Sequence, residues 1–173
     1  GQAGTIEEQF ANLRTPLSQA ARLSRNHRII ITHGNGPQVG DLLLRQECCA
    51  KTQPLPLEIL VAQTQGQIGY MIESSLDTEF MRQGRGHAPL VSLLSYVVVD
   101  ENDPGFQNPT KPIGPVLSED KAPLAPYPVK KTAKGWRRVV ASPRPVTIVE
   151  KHEIAALIRA GFIVICCGGG GIP

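Results

Sequence analysis

An apolar run, Ile29-Ile30-Ile31, leads directly into His33-Gly34-Asn35-Gly36-Pro37-Gln38-Val39-Gly40. Glycines at 34 and 36 let the backbone turn tightly and approach a ligand where a Cβ would obstruct. Pro37 suits the first turn of a helix, where its missing N–H is no loss. Free N–H groups at such a helix start, with the helix dipole behind them, attract anions, so a phosphate or carboxylate is the expected guest. Gly34, Gly36 and Gly40 form GxGxxxG, one residue too long for a dinucleotide fingerprint. A second loop of the same kind follows the buried-strand pattern Phe162-Ile163-Val164-Ile165-Cys166-Cys167, namely Gly168-Gly169-Gly170-Gly171. On one parallel sheet the two loops would share the carboxyl edge, where open α/β sheets bind their ligands.

The elements that must position these loops follow from periodicity. Thr5-Ile6-Glu7-Glu8 is a capping box, and the helix it opens carries Ile6, Phe10, Leu13 and Leu17 on one stripe. Pro16 inside that stripe predicts a kink or a division at Thr15. A strand over 28–33 and a helix over 37–49 flank the first loop. Residues 57–82 predict a single long helix with Leu57, Leu60, Val61, Thr64, Ile68, Ile72, Leu76 and Phe80 on one side. Gly66 and Gly69 within it cost about 1 kcal/mol each relative to alanine, so close approach of a neighbour is expected there. Residues 90–99 predict one apolar strand. Nine prolines between 104 and 145 break helical periodicity and predict an irregular lobe. A helix over 146–160, stopped by Gly161, precedes the last strand. The order α–β–α–α–β–lobe–α–β predicts an α/β fold with a largely parallel sheet covered by helices.

Composition narrows the function classes. At 173 residues and 41% apolar content, the chain can bury a core, and 17 Gly with 15 Pro favour long ordered loops. A net charge of +3 gives no nucleic-acid footprint, and no apolar run reaches the length of a membrane span, so neither partner is expected and a cytoplasmic location is. The cysteines form two adjacent pairs, Cys48-Cys49 and Cys166-Cys167, which do not match zinc-site spacing. No metal site is expected among them, and Cys166 and Cys167 are placed in the strand as small buried residues. His33 is expected to be structural, and His27, His87 and His152 show no triad or metal pattern. Lys130, Lys131, Lys134, Arg137 and Arg138 read as a solvated basic stretch, and Asp100, Glu101 and Asp103 as an acid-rich turn.

Five segments together resemble the carbamate kinase branch of the amino-acid kinase family. They are 33–40 (HGNGPQVG), 63–70 (QTQGQIGY), 103–115 (DPGFQNPTKPIGP), 135–143 (GWRRVVASP) and 160–173 (AGFIVICCGGGGIP), in order and covering nearly the whole chain. The first is broad among related kinases, whereas PTKPIGP and GWRRVV are narrower. The resemblance implies a three-layer αβα sandwich, with residues 84–138 as a protruding subdomain inserted in the N-terminal half of an amino-acid kinase domain spanning 1–173. It implies reversible phosphoryl transfer between ATP and carbamate, with Mg²⁺, in a homodimer. It also implies that the opening strand with a Gly-Gly-Asn loop and the half that binds ATP or ADP lie outside this chain.

Roles carry over where the motifs match. The resemblance implies that Gly34, Asn35 and Gly36 contact the transferred phosphoryl group, that Gly169 and Gly170 line the acceptor side, and that Lys111 reaches in to neutralise charge. A surface lysine is usually solvated, but Lys111 sits in a stiff loop between Pro109 and Pro112. Such a set suits phosphoryl transfer, which depends on fixed N–H donors and cations more than on covalent help. Ser95-Tyr96 departs from the Thr-Gln common at that place. A paralogue that binds carbamoyl phosphate or a similar anion without turnover is therefore the second reading. A dinucleotide-binding half-domain is the third, with Glu58 its acidic candidate.

Overall fold

The computed structural model describes residues 4–48, 51 and 53–172, so Cys49 and the first three residues lie outside the described residues. The elements in chain order are α1 (Ile6–Leu23), β1 (Ile30–Ile31), α2 (Gly36–Glu47), α3 (Leu57–Arg82), β2 (Leu90–Ser92), β3 (Val97–Val99), α4 (Pro104–Gln107), β4 (Lys111–Leu117), β5 (Val129–Thr132), β6 (Gly135–Val140), β7 (Pro145–Ile148), α5 (Lys151–Arg159) and β8 (Ile163–Ile165). A parallel sheet runs β1-β8-β2, with Ile30 opposite Val164 and Val91 opposite Val164 on the other side. This is an α/β fold.

Strand alternation sorts the core into two faces. Ile163 and Ile165 point to one side, against Leu17, Ala21, Ile68, Ile72, Leu76 and Phe80 of α1 and α3. Val164 and Cys166 point to the other, against Ile154, Leu157 and Ile158 of α5. Helices on both faces make three layers. Leu76 and Phe80 are fully buried, and each contributes about 1.5–3 kcal/mol by leaving water.

Helix α3 occupies its full sequence-derived span. Of its two glycines, Gly69 lies so close to β2 that a Cβ would meet Ser92 Oγ at 2.7 Å, whereas Gly66 faces open space. Helix α1 begins at Thr5, whose Oγ1 accepts from Glu8 N–H at 3.3 Å, and the Glu8 carboxylate reaches back to Gly4 N–H at 2.7 Å. Of the two outcomes expected at Pro16, a kink or a division, the division does not occur: α1 runs unbroken through it. Leu13, Leu17, Ala20 and Ala21 pack on both sides of the proline, and that burial holds the turn despite the lost hydrogen bond.

Other expectations are corrected. Residues 90–99 are two strands in different sheets: β2 joins the parallel sheet, and β3 pairs antiparallel with β7. The helix expected over 146–160 begins only at Lys151, because Val146 and Ile148 belong to β7. Between 104 and 145 the chain is not irregular. It forms an antiparallel sheet of order β4-β6-β5, with Pro112 and Pro115 on β4 at the sheet's edge, where a missing N–H can be tolerated. This sheet docks on α2, with Ile113 buried against Val39 and Leu60. Gly40 and Gly114 touch backbone to backbone, leaving no space for a Cβ on Gly40. Arg137 and Arg138 are not simply solvated. Arg137 donates twice to Gly114 O, and Arg138 pairs with Glu47 at 2.7 Å while lying over the Tyr127 ring.

Candidate functional site

Strands β1 and β8 are neighbours and parallel, so the chain leaves both at one edge, and the two glycine loops emerge side by side. Gly169 joins them: its N–H donates to His33 O at 2.8 Å, and its Cα rests on the Asn35 amide, which a Cβ would strike. Its φ of +67° is one that side chains rarely adopt. Its carbonyl accepts from Lys111 Nζ at 2.7 Å, across from the antiparallel sheet. Gly36 faces the same junction, where a Cβ would lie 3.8 Å from Pro112 O. The structure thus gathers Gly34, Asn35, Gly36, Gly169, Gly170 and Lys111 around one edge, although their sequence positions span most of the chain.

Asn35 stands where a helix-capping residue would stand, yet its side chain does not cap α2. It is buried and donates through Nδ2 to Thr64 Oγ1 at 2.9 Å instead. The first N–H groups of α2 therefore receive no side-chain acceptor from their own cap, the arrangement in which a helix start accepts an anion. Gly34 and Gly170 are exposed beside it.

Lys111 supplies the charge. Its side chain is half-buried, and that burial pushes its pKa below the ordinary lysine value of 10.5. Its contact at this edge is a neutral carbonyl rather than a carboxylate. A half-buried ammonium of this kind gains when an anion arrives.

Three residues of the site were not singled out from sequence as functional. In the sequence Thr64 lies on the apolar side of α3 and, with Gln65, in the 63–70 motif, and Ser95 is a departure from the family pattern. Gln65 Oε1 accepts from Ser95 N–H at 2.8 Å, and its Nε2 donates to Ser95 O at 3.2 Å and Gly168 O at 3.0 Å. Ser95 Oγ accepts from Cys167 N–H at 3.0 Å. The usable signal was the polar run Gln63-Thr64-Gln65 in an otherwise amphipathic helix, since polar residues hidden there need partners.

Cys167 corrects another expectation. It lies beyond β8, in a left-handed turn with φ of 56°, where the backbone swings into the glycine loop. Cys166 is buried as expected, though it lies just past the end of β8, and burial together with the neighbouring Cys167 pushes its thiol up to about 12. His33 is half-buried, with Nδ1 at 3.1 Å from Gly34 O. Asp103 accepts from Gly105 and Arg144 N–H groups, chiefly the latter, and these bonds hold its carboxyl below the usual range. Among the described residues no three His, Cys, Asp or Glu side chains cluster to hold a metal ion, and no helix is long and apolar enough to cross a membrane.

The profile of the amino acid kinase family matches residues 3–173. The chain belongs to this family. Among curated relatives, the carbamate kinase of Thermococcus kodakarensis is 44% identical over 183 residues, covering all of this chain and 58% of the relative. The carbamate kinase-like protein YqeA of Escherichia coli is 46% identical over 159 residues, covering 87% of this chain and 51% of that protein. Carbamate kinase from Giardia lamblia bound to citric acid superposes with a TM-score of 0.93 at 36% identity, over 99% of this chain and 58% of that one. The same enzyme bound to AMP-PNP gives 0.83 at 34% identity, over 99% and 57%. The chain thus spans a little over half the length of the relatives it matches.

Proposed function

We propose that this chain carries the phosphoryl-acceptor side of a carbamate kinase, which moves a phosphoryl group reversibly between ATP and carbamate. The observation that carries the reading is the meeting of Lys111 Nζ with Gly169 O, 2.7 Å apart, beside the uncapped start of α2. In the forward direction a carbamate oxygen attacks the γ-phosphorus of ATP, the bond to the bridging oxygen breaks, and ADP leaves. In this reading the N–H groups at Gly34, Asn35 and Gly36 hold the transferred group's oxygens, while Gly169 and Gly170 line the acceptor side. Lys111 leaves the Gly169 carbonyl to meet the negative charge of the phosphoryl or carbamate oxygens. Fixed donors and a cation of this kind are the main source of rate in phosphoryl transfer.

Residues 84–138, which hold most of the antiparallel sheet, act in this reading as the protruding subdomain that closes over carbamoyl phosphate. ATP or ADP arrives with Mg²⁺. Among the described residues no cluster of three His, Cys, Asp or Glu side chains is suited to hold that ion. The reading also includes a homodimer in the cytoplasm, the former testable by light scattering.

A carbamate kinase-like relative at 46% identity keeps a second reading in play, a paralogue that binds carbamoyl phosphate or a similar anion without turnover. The deciding assay is ATP formation from ADP and carbamoyl phosphate with Mg²⁺, using this chain together with its native flanking sequence. Turnover that Lys111→Ala abolishes supports the kinase. Binding of carbamoyl phosphate without turnover supports the paralogue, and neither result would remove both readings.

A further inference from the structure

Thr64 and Gln65 are chain neighbours on α3, and both side chains are buried, at 0% and 3% exposed. Successive residues on a helix point about 100° apart, so a helix lying on a sheet normally hides only one of such a pair. Both are hidden because α3 passes beneath the edge where β1 and β8 end together. Their hydrogen bonds then divide between the two loops.

Thr64 Oγ1 donates to Val61 O at 2.8 Å, within its own helix. Its one hydroxyl proton is thereby used, and Oγ1 can only accept from the other side. That requirement orients the Asn35 amide with its nitrogen toward Thr64, and the amide so fixed is the surface on which Gly169 rests. Gln65 serves the second loop. Its amide oxygen takes the Ser95 N–H, and its amide nitrogen holds the carbonyls of Ser95 and Gly168. Ser95 in turn holds the Cys167 N–H. The left-handed turn at Cys167 is therefore gripped on the N–H before it and the carbonyl after it. Most of these bonds end on loop or strand-end backbone, whereas side chains that merely satisfied one another would leave the loops alone.

We propose that Thr64 and Gln65 are positioning residues with separate duties, Thr64 setting the first loop through Asn35 and Gln65 setting the second through Ser95 and Gly168. The consequence for catalysis rests on the carbamate kinase reading; the consequence for loop order does not. Two arms therefore test it, both in the protein with its native flanking sequence.

The first arm is amide hydrogen exchange without ligand. Thr64→Val is expected to speed exchange about tenfold in 33–40 while leaving 167–172 within twofold, and Thr64→Ser to restore the parent rates. Gln65→Met is expected to do the converse. Gln65→Glu, which keeps an acceptor for Ser95 N–H but loses the amide donor to Gly168, is the milder variant should Gln65→Met not fold. Equal acceleration of both segments, or none in either, overturns the division of duties. The second arm is kinetic. Thr64→Val and Gln65→Met are each expected to raise KM for carbamoyl phosphate or lower kcat about tenfold, with KM for ADP within twofold, and Thr64→Ser to restore both. Asn35→Ala combined with Thr64→Val is expected to be no worse than Asn35→Ala alone, and additive losses would overturn the action of Thr64 through Asn35. A parent protein without ATP-forming activity removes the kinase reading, and the exchange arm still decides the positioning roles.

Discussion

The edge of the parallel sheet and the small antiparallel sheet face the same junction, but they contribute to it in different ways. In the proposed site the parallel edge contributes loop backbone, at Gly34 and Gly36 of the first loop and at Gly169 and Gly170 of the second, whose N–H groups are bonded to His33 O and Cys167 O. Buried side-chain bonds from α3 fix them, Thr64 to Asn35 and Gln65 to Gly168. The antiparallel sheet offers one long charged side chain, Lys111, at the first residue of β4. What places that lysine is the docking of a whole sheet on α2, through Gly40 against Gly114, Ile113 against Val39 and Leu60, and Arg138 against Glu47. One region supplies geometry and the other supplies charge. Damage to the first should distort the site, and damage to the second should leave its shape but empty it of cation.

The largest effect is expected at Lys111. Replacement by alanine should lower kcat by about 10²–10³, the usual cost of losing one preorganised donor to a developing anion. Thermal melting should not fall with it, since the change removes a half-buried ammonium that has no carboxylate partner among the described residues. A loss of folding stability equal to the loss of rate would merge the two regions into one. Lys111 also sets a pH dependence. Because its folded pKa lies below 10.5, the unfolded chain holds the proton where the folded chain releases it, so its unfavourable burial is relieved as pH rises toward 10.5. In activity the sign reverses: kcat/KM should fall along an alkaline limb below 10.5, and Lys111→Arg should move that limb out of range.

Next comes Gly169→Ala, which puts a Cβ at positive φ and into the Asn35 amide. We expect a loss of about 1–3 kcal/mol in denaturant-measured stability together with a tenfold or greater fall in kcat/KM. Gly40→Ala should cost a similar amount of stability, about 1–3 kcal/mol, by forcing α2 and β4 apart. Its kinetic signature should resemble Lys111→Ala more than Gly169→Ala, because the displaced part is the one that carries the lysine. The smallest effect belongs to Arg138→Ala. Its pair with Glu47 is 25% and 42% exposed, so after screening it should contribute only about 0.5–1 kcal/mol, less at high salt.

The same contrast governs what could be read from the chain. At the parallel edge, glycine after an apolar run gave both loops, and regular apolar spacing gave α3 from Leu57 to Arg82. The antiparallel sheet was hidden because Pro112 and Pro115, read as breakers, lie on an edge strand that does not need every N–H. The short apolar run at 145–149 fits a helix or a strand equally, and only its pairing with β3 decides it. Nothing in Leu93-Leu94-Ser95-Tyr96 marks the point where one sheet ends and another begins. The run Gln63-Thr64-Gln65 signals buried polar groups but not their partners, since a polar residue on a helix declares its partner only when the fold brings one to it.

The most direct test of a single anion site built by both regions is a titration of the isotope-labelled protein, carrying its native flanking sequence, with carbamoyl phosphate, followed by amide NMR shifts. The account predicts the largest shifts at Gly34, Gly36, Gly169 and Gly170, with affinity reduced at least tenfold in Lys111→Ala. Shifts centred elsewhere, such as the cavity lined by Arg25, Arg28 and Arg85 at the opposite end of the strands, or affinity indifferent to Lys111, would contradict it.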